Sequence, residues 1–452
     1  MLAFLSIFLP NTHTGALVAI FDREVRTLLT ENRAFRDIWL GEVSAHFGGQ
    51  VTSFLLPLIA VTYLHVDGTG VGLVSAAQFV PIVVLSLIAG VMVDRYPPRR
   101  TLVAASAAQG VALALLGVFQ AVKGLTFGQL VVAAVVIGVA AVFYEVAYQS
   151  TLPRILPVDS IAAANGLHQA TYSISTLAGP SAAGFLIGRL GLSPTLTVAA
   201  ACSAGAAVSG MLLRGVKAPE QPRQSAVRAI GSGLRFTWSL RPIRDLCVQA
   251  GLSNLHEKAF LTVFLVFAVR ALGMSGTTVG LITGVGSVGA LIGSLCANRL
   301  AKRWTVGGTL ALGAVLAAGG LLLIPVVAHF GAYVAVLASI AMVLNGFGVA
   351  LFNVFAVSLR QAIPPEHQLG AVTASYRLVA LGTLPLGAFI GGALSDALSP
   401  GNALWLVGLS YLVVSFWLTW SPLRRARTLE EAEELGRTTG VEAPPVCRSP
   451  SA

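Results

Sequence analysis

Charge is what this chain has least of. Only 11% of its 452 residues are Asp, Glu, Lys or Arg, against 55% with hydrophobic side chains; a typical soluble domain carries roughly 25% charged and 45–50% apolar residues. A chain this long cannot cover a water-facing surface with so few charges, which excludes a large soluble enzyme. Cysteine is scarce too, at four residues. Cys202, Cys247, Cys296 and Cys447 have no paired or metal-like spacing and read as free thiols, so a disulfide framework and a cysteine metal site are excluded. There is no Gly-rich phosphate loop, no Ser-His-Asp set and no Cys or His cluster in a loop. Enzyme activity, ATP dependence, a metal and a cofactor are therefore not expected. Long apolar runs replace the polar–apolar alternation of an outer-membrane barrel.

What is present is apolar length. Mean hydropathy is +0.80, and about twelve spans approach or exceed the ~20 residues a helix needs to cross a bilayer. They are expected near 38–64, 70–93, 101–121, 125–152, 161–188, 193–213, 243–269, 277–300, 305–328, 331–359, 368–395 and 402–420. The net charge of +10 then reads as orientation. Of the Lys and Arg, Lys123, Arg189 and Arg270 alone fall in loops on one side, and Lys258 and Arg377 lie within spans. The others share the opposite side, which the positive-inside rule makes cytoplasmic together with both termini. Nucleic-acid binding is thereby set aside.

The chain also repeats itself. A shift of 208 residues lays Arg36 and Asp37 on Arg244 and Asp245, the run from Asp67 to Leu73 on that from Ser275 to Leu281, and Asp94-Arg95 on Lys302-Arg303. The register persists to Pro157 and Pro364 within one residue. The division expected is a cytoplasmic extension at 1–34, a six-helix half at 35–213, a linker at 214–242 with an interfacial helix, a second six-helix half at 243–420, and a cytoplasmic tail at 421–452. Parallel halves of this kind belong to alternating-access carriers, whose substrate site lies between the halves near the midplane.

Specific motifs narrow this further. Gly90-Val-Met-Val-Asp94-Arg95-Tyr-Pro-Pro-Arg99-Arg100 follows the second span, and Leu177-Ala-Gly179-Pro180-Ser-Ala-Ala-Gly184 lies in the fifth. The first resembles the loop signature of the major facilitator superfamily, with proline where that pattern has glycine. The second resembles the glycine–proline motif of its antiporters. With the opening FRDIWLGEVSAHFGGQVTSFLLPLIA and the TLPRILP segment, residues from about 35 to 420 are similar to the branch of macrolide efflux proteins and enterobactin-type exporters. The resemblance implies an all-α integral membrane protein of the major facilitator fold, with twelve transmembrane helices in two pseudo-symmetric halves, in the cell (inner) membrane. It implies export and a gate: Gly90, Asp94, Arg95, Arg99 and Arg100 closing the cytoplasmic side against the start of the eleventh span, 366–370, and Gly179 with Pro180 bending the fifth. For the first cluster, the alternative is an anchor of topology. For the second, it is a packing kink.

Ionisable residues within spans are costly and default to function. Glu42, His46 and Gln50 recur at intervals of four on one helical face. Asn254 and Lys258 fall on His46 and Gln50 in the second half, with Glu257 beside them. Glu145 lies about two turns before Pro153, with Gln149 one turn along and Tyr144 and Tyr148 flanking; its repeat partner is Asn353. The fifth span adds His168, Gln169 and Tyr172, and the eleventh Tyr376 and Arg377. A proton-coupled carrier needs a carboxylate whose proton affinity rises on burial and falls on hydration. Glu145 is the first candidate, then Glu42, then Glu257; a fixed salt bridge to Lys258 or Arg377 is the alternative. His46, Gln50, Gln149, Gln169, Tyr172, Asn254, Lys258, Asn353 and Arg377 are expected to line the substrate cavity. No second ligand stands at metal spacing from His46. The leading expectation is a monomeric proton antiporter of bulky amphipathic small molecules, embedded in lipid. A proton symporter importing a polar metabolite and a non-transporting receptor remain the alternatives.

Overall fold

The structure is a computed structural model that describes residues 27–213, 235–364, 369–420 and 431. The expectations for 1–26, for 214–234 of the linker and for most of the tail lie outside the described residues. Thirteen long helices follow one another, with no strand among the described residues. In chain order they are α1 (Arg33–Thr62), α2 (Gly68–Arg95), α3 (Pro98–Ala121), α4 (Phe127–Ile155), α5 (Val158–Leu190), α6 (Leu192–Leu212) and α7 (Arg241–Val266). Then come α8 (Gly276–Arg303), α9 (Val306–Val327), α10 (Val334–Ala362), α11 (Leu369–Gly382), α12 (Leu384–Leu398) and α13 (Pro400–Trp417). Counting α11 with α12 as one, eleven helices among the described residues are long and apolar enough to cross a membrane. The exception is α5, which at 33 residues has the length but carries Asn165, His168, Gln169 and a run of hydroxyl residues.

Helix starts are fixed by side-chain caps that satisfy amides left open in the first turn. Asn32 accepts from Phe35 N at 2.9 Å, Asp67 from Gly70 N at 2.8 Å, Ser275 from Thr278 N at 3.2 Å and Thr305 from Gly308 N at 2.8 Å. Asp67 and Ser275 are repeat partners, and the helices they start, α2 and α8, are each 28 residues long.

Between lipid-embedded helices there is little hydrophobic drive, so close packing of small residues decides which helices touch. In the first part of the chain α1 packs on α5 and α6, α2 on α4, and α3 on α4 and α6; in the second, α7 packs on α12 and α13, α8 on α10, and α9 on α10 and α13. Two crossings tie these groups together, α2 on α12 and α5 on α8. Both are glycine contacts. A methyl group added at Gly72 would lie 3.1 Å from Gly392 Cα, and one added at Gly280 would lie 3.0 Å from Gly184 Cα. Gly179 and Pro180 lie in an unbroken α5, with Gly179 against the backbone of Gln50 and Val51 in α1 and the Pro180 carbonyl facing Gly280. The pair thus serves close approach on two sides of the helix.

Candidate functional site

The two crossings close one end of the bundle. There Asp396, near the end of α12, accepts from Gly68 N at 2.7 Å, Thr69 N at 2.6 Å and Thr69 Oγ1 at 2.6 Å. A carboxylate on the open amides of a helix start is favoured by hydrogen bonding and by the helix dipole. Arg270 donates to the Val66 carbonyl beside it. On the other crossing, Thr277 Oγ1 donates to the Gly184 carbonyl at 2.7 Å.

Away from this seal lies a cavity of about 590 Å³, lined by α1, α4, α5, α7, α9, α10, α11 and α13. Its size is that of a drug-like ligand site. A second space of about 310 Å³ lies nearer the seal, lined by Gln50, Ser53, Glu257, Lys258 and Asn345 among apolar neighbours. His46, Glu145, Gln149, Gln169, Tyr172, Asn254, Glu257, Asn353 and Arg377 line the larger cavity, and Gln50 and Lys258 the smaller. Asn254 also donates to the Ala380 carbonyl at 2.7 Å, fastening α7 to α11.

One wall of the cavity is a connected polar cluster. Glu42 is fully buried. Its Oε1 contacts His168 Nδ1 and lies 3.4 Å from His46 Nε2. Across the two imidazoles stands Glu145, with Oε2 3.9 Å from His46 Nε2 and Oε1 3.9 Å from His168 Nε2. Gln149 donates to Glu145 Oε1 one turn along α4. Tyr148 stacks on His168, the ring centroids 5.5 Å apart, and Tyr172 meets the edge of His46 at 5.7 Å. Glu42 Oε2 and Tyr148 Oη are buried without a hydrogen-bond partner. Two carboxylates joined through two imidazoles form a short path along which a proton can be held and passed. Glu42, His46 and His168 also offer donor atoms within 4.8 Å of one another, close enough to hold a metal ion. No second ligand was expected for His46, and that expectation is corrected: Glu42 stands four residues before it on the same helical face. The fold supplies a third, His168, from a helix more than a hundred residues away.

The salt bridges offered as an alternative do not form among the described residues: neither Glu145 nor Glu257 lies within 4.0 Å of Lys258 or Arg377. Lys258 instead places its Nζ over the Phe79 ring, 4.4 Å from the centroid. On the opposite wall Arg360 stacks on Tyr376 at 4.0 Å. At the cytoplasm-assigned end, Arg95, Arg99 and Arg100 are exposed. Gly90 lies within α2, and the Asp94 side chain lies outside what is described, as do residues 366–368 and the Leu369 side chain on the surface expected to receive it.

Sequence reasoning placed His168 in the fifth span but gave it no role, and it passed over Asp396 altogether. For His168 the available signal was a histidine within a span. For Asp396 it was a carboxylate at the end of an apolar run, which reads as a span boundary.

Helices closed at one end around a polar, charge-bearing cavity define a membrane transporter. The chain belongs to the transmembrane secretion effector family of major facilitator transporters, whose model matches residues 29–444. It is 24% identical over 411 residues to the multidrug efflux pump Tap of Mycolicibacterium fortuitum, covering 88% of this chain and 97% of that one. It is 21% identical over 410 residues to the enterobactin exporter EntS of Escherichia coli, covering 87% and 92%. Among solved structures, the nucleoside transporter NupG superposes with a TM-score of 0.66 at 15% identity, covering 86% of this chain and 98% of that one. A POT family transporter in complex with 5-aminolevulinic acid reaches 0.68 at 11%, covering 87% and 97%. The protein is a multi-pass membrane transporter of the efflux-associated branch, and the superpositions establish the fold.

Proposed function

We propose that the protein is a proton-coupled exporter of bulky amphipathic small molecules, working as a monomer in the cell (inner) membrane by rocking two six-helix halves. The observation that carries this reading is the cluster of Glu42, His46, His168 and Glu145 in the wall of the larger cavity. The efflux names of Tap and EntS support the direction. The topology has twelve crossings, α5 included and α11 with α12 as one, with both termini cytoplasmic; the seal at Asp396 then faces outward and the cavity belongs to the inward-facing state.

Three features fit a proton site better than a structural ion pair. The cluster is buried at Glu42 and reaches the cavity at Glu145, so a proton can travel between a dry and a wet carboxylate. The bridging groups are imidazoles, which exchange protons near neutral pH. Removing water raises the proton affinity of a carboxylate and restoring water lowers it, so opening and closing the cavity loads and unloads the site. In the outward-facing state the cluster takes a proton from outside. After rocking, the wetted cavity releases it to the cytoplasm as substrate enters. Asp94 with Arg95, Arg99 and Arg100 closes the cytoplasmic side in the outward-facing state.

The test is proton movement in everted vesicles acidified inside. Substrate addition is expected to dissipate part of the gradient with the native protein. Glu145→Gln is expected to abolish that response while still permitting substrate to move down its own gradient. Undiminished proton exchange by Glu145→Gln would remove this residue from the mechanism.

A further inference from the structure

The cavity carries opposite charges on opposite walls, and the carboxylates of one wall have imidazole and amide neighbours while the guanidiniums of the other have no carboxylate within ion-pair distance among the described residues. On the side of α1, α4 and α5, Glu42 and Glu145 are engaged by His46, His168 and Gln149. On the side of α10 and α11, Arg360 and Arg377 both line the same space. Neither has a carboxylate within ion-pair distance among the described residues, and Arg360 Nε is buried without a hydrogen-bond partner. Arg360 is held in place by stacking on Tyr376, 4.0 Å from the ring centroid. A charge held inside a membrane protein without an ionic partner is expensive and calls for one, which applies to the part-buried Arg360; Arg377 is exposed and open to the cavity. The repeat partners of Arg360 and Arg377 are Leu152 and Gln169, so the fold does not demand cations at these positions.

We propose that the transported compound is an amphipathic organic anion, whose carboxylate or similar oxyanion docks on Arg377 and Arg360. A guanidinium fork matches a planar oxyanion through two parallel hydrogen bonds, which a point charge cannot do. Asn353 adds an amide to the lining of the same cavity, and Phe352 and Val349 offer apolar surface for the body of the molecule. A cationic drug meets two repelling guanidiniums on this wall; Glu257, which also lines the cavity from α7, is the carboxylate left to attract one, and the cation arm of the experiment tests it. The proposal rests on the reading of this cavity as the substrate site, and it names the charge of the cargo.

The experiment measures equilibrium binding to the purified full chain in zwitterionic phosphatidylcholine nanodiscs, with no gradient, so that anionic lipid headgroups are absent and proton coupling plays no part. The probes are 4-(1-pyrenyl)butanoate, its uncharged methyl ester and the cation ethidium. The native protein is expected to bind the carboxylate about tenfold or more tightly than the ester, the loss a single charge-assisted hydrogen bond implies. Arg377→Gln and Arg360→Gln are each expected to erase most of that ratio by weakening the carboxylate alone, and Arg377→Lys to restore part of it. Arg189→Gln, at an exposed arginine outside both cavity linings, is expected to keep the ratio; because binding is read without a gradient, a failure here leaves the proton-coupling reading, tested in vesicles, untouched. Equal affinity for carboxylate and ester, no measurable carboxylate binding by the folded native protein, or preference for ethidium each overturns the proposal. An unchanged ratio in both glutamine variants overturns the assignment to these arginines. Suppression of the ratio by added phosphatidylglycerol, with no effect of the arginine variants, would place the anion site in lipid rather than cargo and overturn it too.

Discussion

The outer seal makes a quantitative prediction through Asp396. Its carboxylate accepts three hydrogen bonds, two from backbone amides at the start of α2 and one from the Thr69 hydroxyl. In the proposed rocking mechanism α12 and α2 lie on opposite sides of the interface that parts when the carrier opens outward, so all three would break in that step. A buried charge-assisted hydrogen bond contributes about 1.5–3 kcal/mol, but this residue is exposed, and exposed ionic contacts contribute only ~0.2–1 kcal/mol each. Asp396→Asn removes the charge and one accepting oxygen yet keeps one acceptor, so the closed state loses about 1–2 kcal/mol. That shifts the ratio of closed to open seal by a factor of about 5–30. The assay is electron–electron distance measurement between spin labels at Tyr63 and Tyr333, both exposed, with Cys202, Cys247, Cys296 and Cys447 replaced by serine. The longer-distance population is expected to grow several-fold in Asp396→Asn and to be unchanged in Asp67→Asn, which retains a good N-cap within one half. An unchanged distribution in Asp396→Asn would show that the glycine crossings alone hold the seal.

Three further expectations concern the interior. Glu42→Gln should preserve folding and downhill efflux but lose proton-coupled transport, read as dye efflux with and without a gradient. Gly280→Val drives a side chain into the Gly184 backbone and should cut transport at least about tenfold, whereas Gly319→Ala, with nothing within 4 Å of the added methyl, should transport normally. Transport into vesicles should be indifferent to a strong chelator such as EDTA; loss on chelation and recovery with zinc would assign Glu42, His46 and His168 to a metal instead of a proton.

Much of this architecture was legible because the signals were periodic or repeated. The spans followed from apolar length, and the repeat register that matched Asp67 with Ser275 recurs in two helices of equal length. The polar stripe of Glu42, His46 and Gln50 was legible because it obeys helical spacing, and so was Glu145 with Gln149. What stayed hidden depends on contacts between distant segments. His168 meets Glu42 across 126 positions, and Asp396 meets Gly68 across 328; no local pattern encodes either pairing. The alternative of a salt bridge from Glu145 to Lys258 or Arg377 was open in the sequence for the same reason. Charge alone says that a partner is needed and not which one the fold delivers.

The seal shows how a repeated scaffold acquires unequal halves. The same 208-residue shift that joins Gly72 to Gly280 also carries Gly184 to Gly392, so the two glycine crossings are copies of one another. Thr69 and Thr277 are likewise partners, and each hydroxyl donates across its crossing. Their acceptors differ: Thr277 reaches the Gly184 carbonyl, while Thr69 reaches the Asp396 carboxylate. Asp396 itself corresponds to Gly188, whose missing side chain leaves room for Thr277. One crossing is therefore held by neutral contacts and the other adds a charge, so a change at Asp396 biases opening without altering the packing both share. The cavity follows the same logic. Glu145, His46 and His168 correspond to Asn353, Asn254 and Tyr376, and Gln169 to Arg377. Matched positions of the repeat thus carry carboxylates and imidazoles on one wall and guanidiniums on the other, and under the functions proposed above this lets proton and anion be held in one cavity without competing for the same side chains.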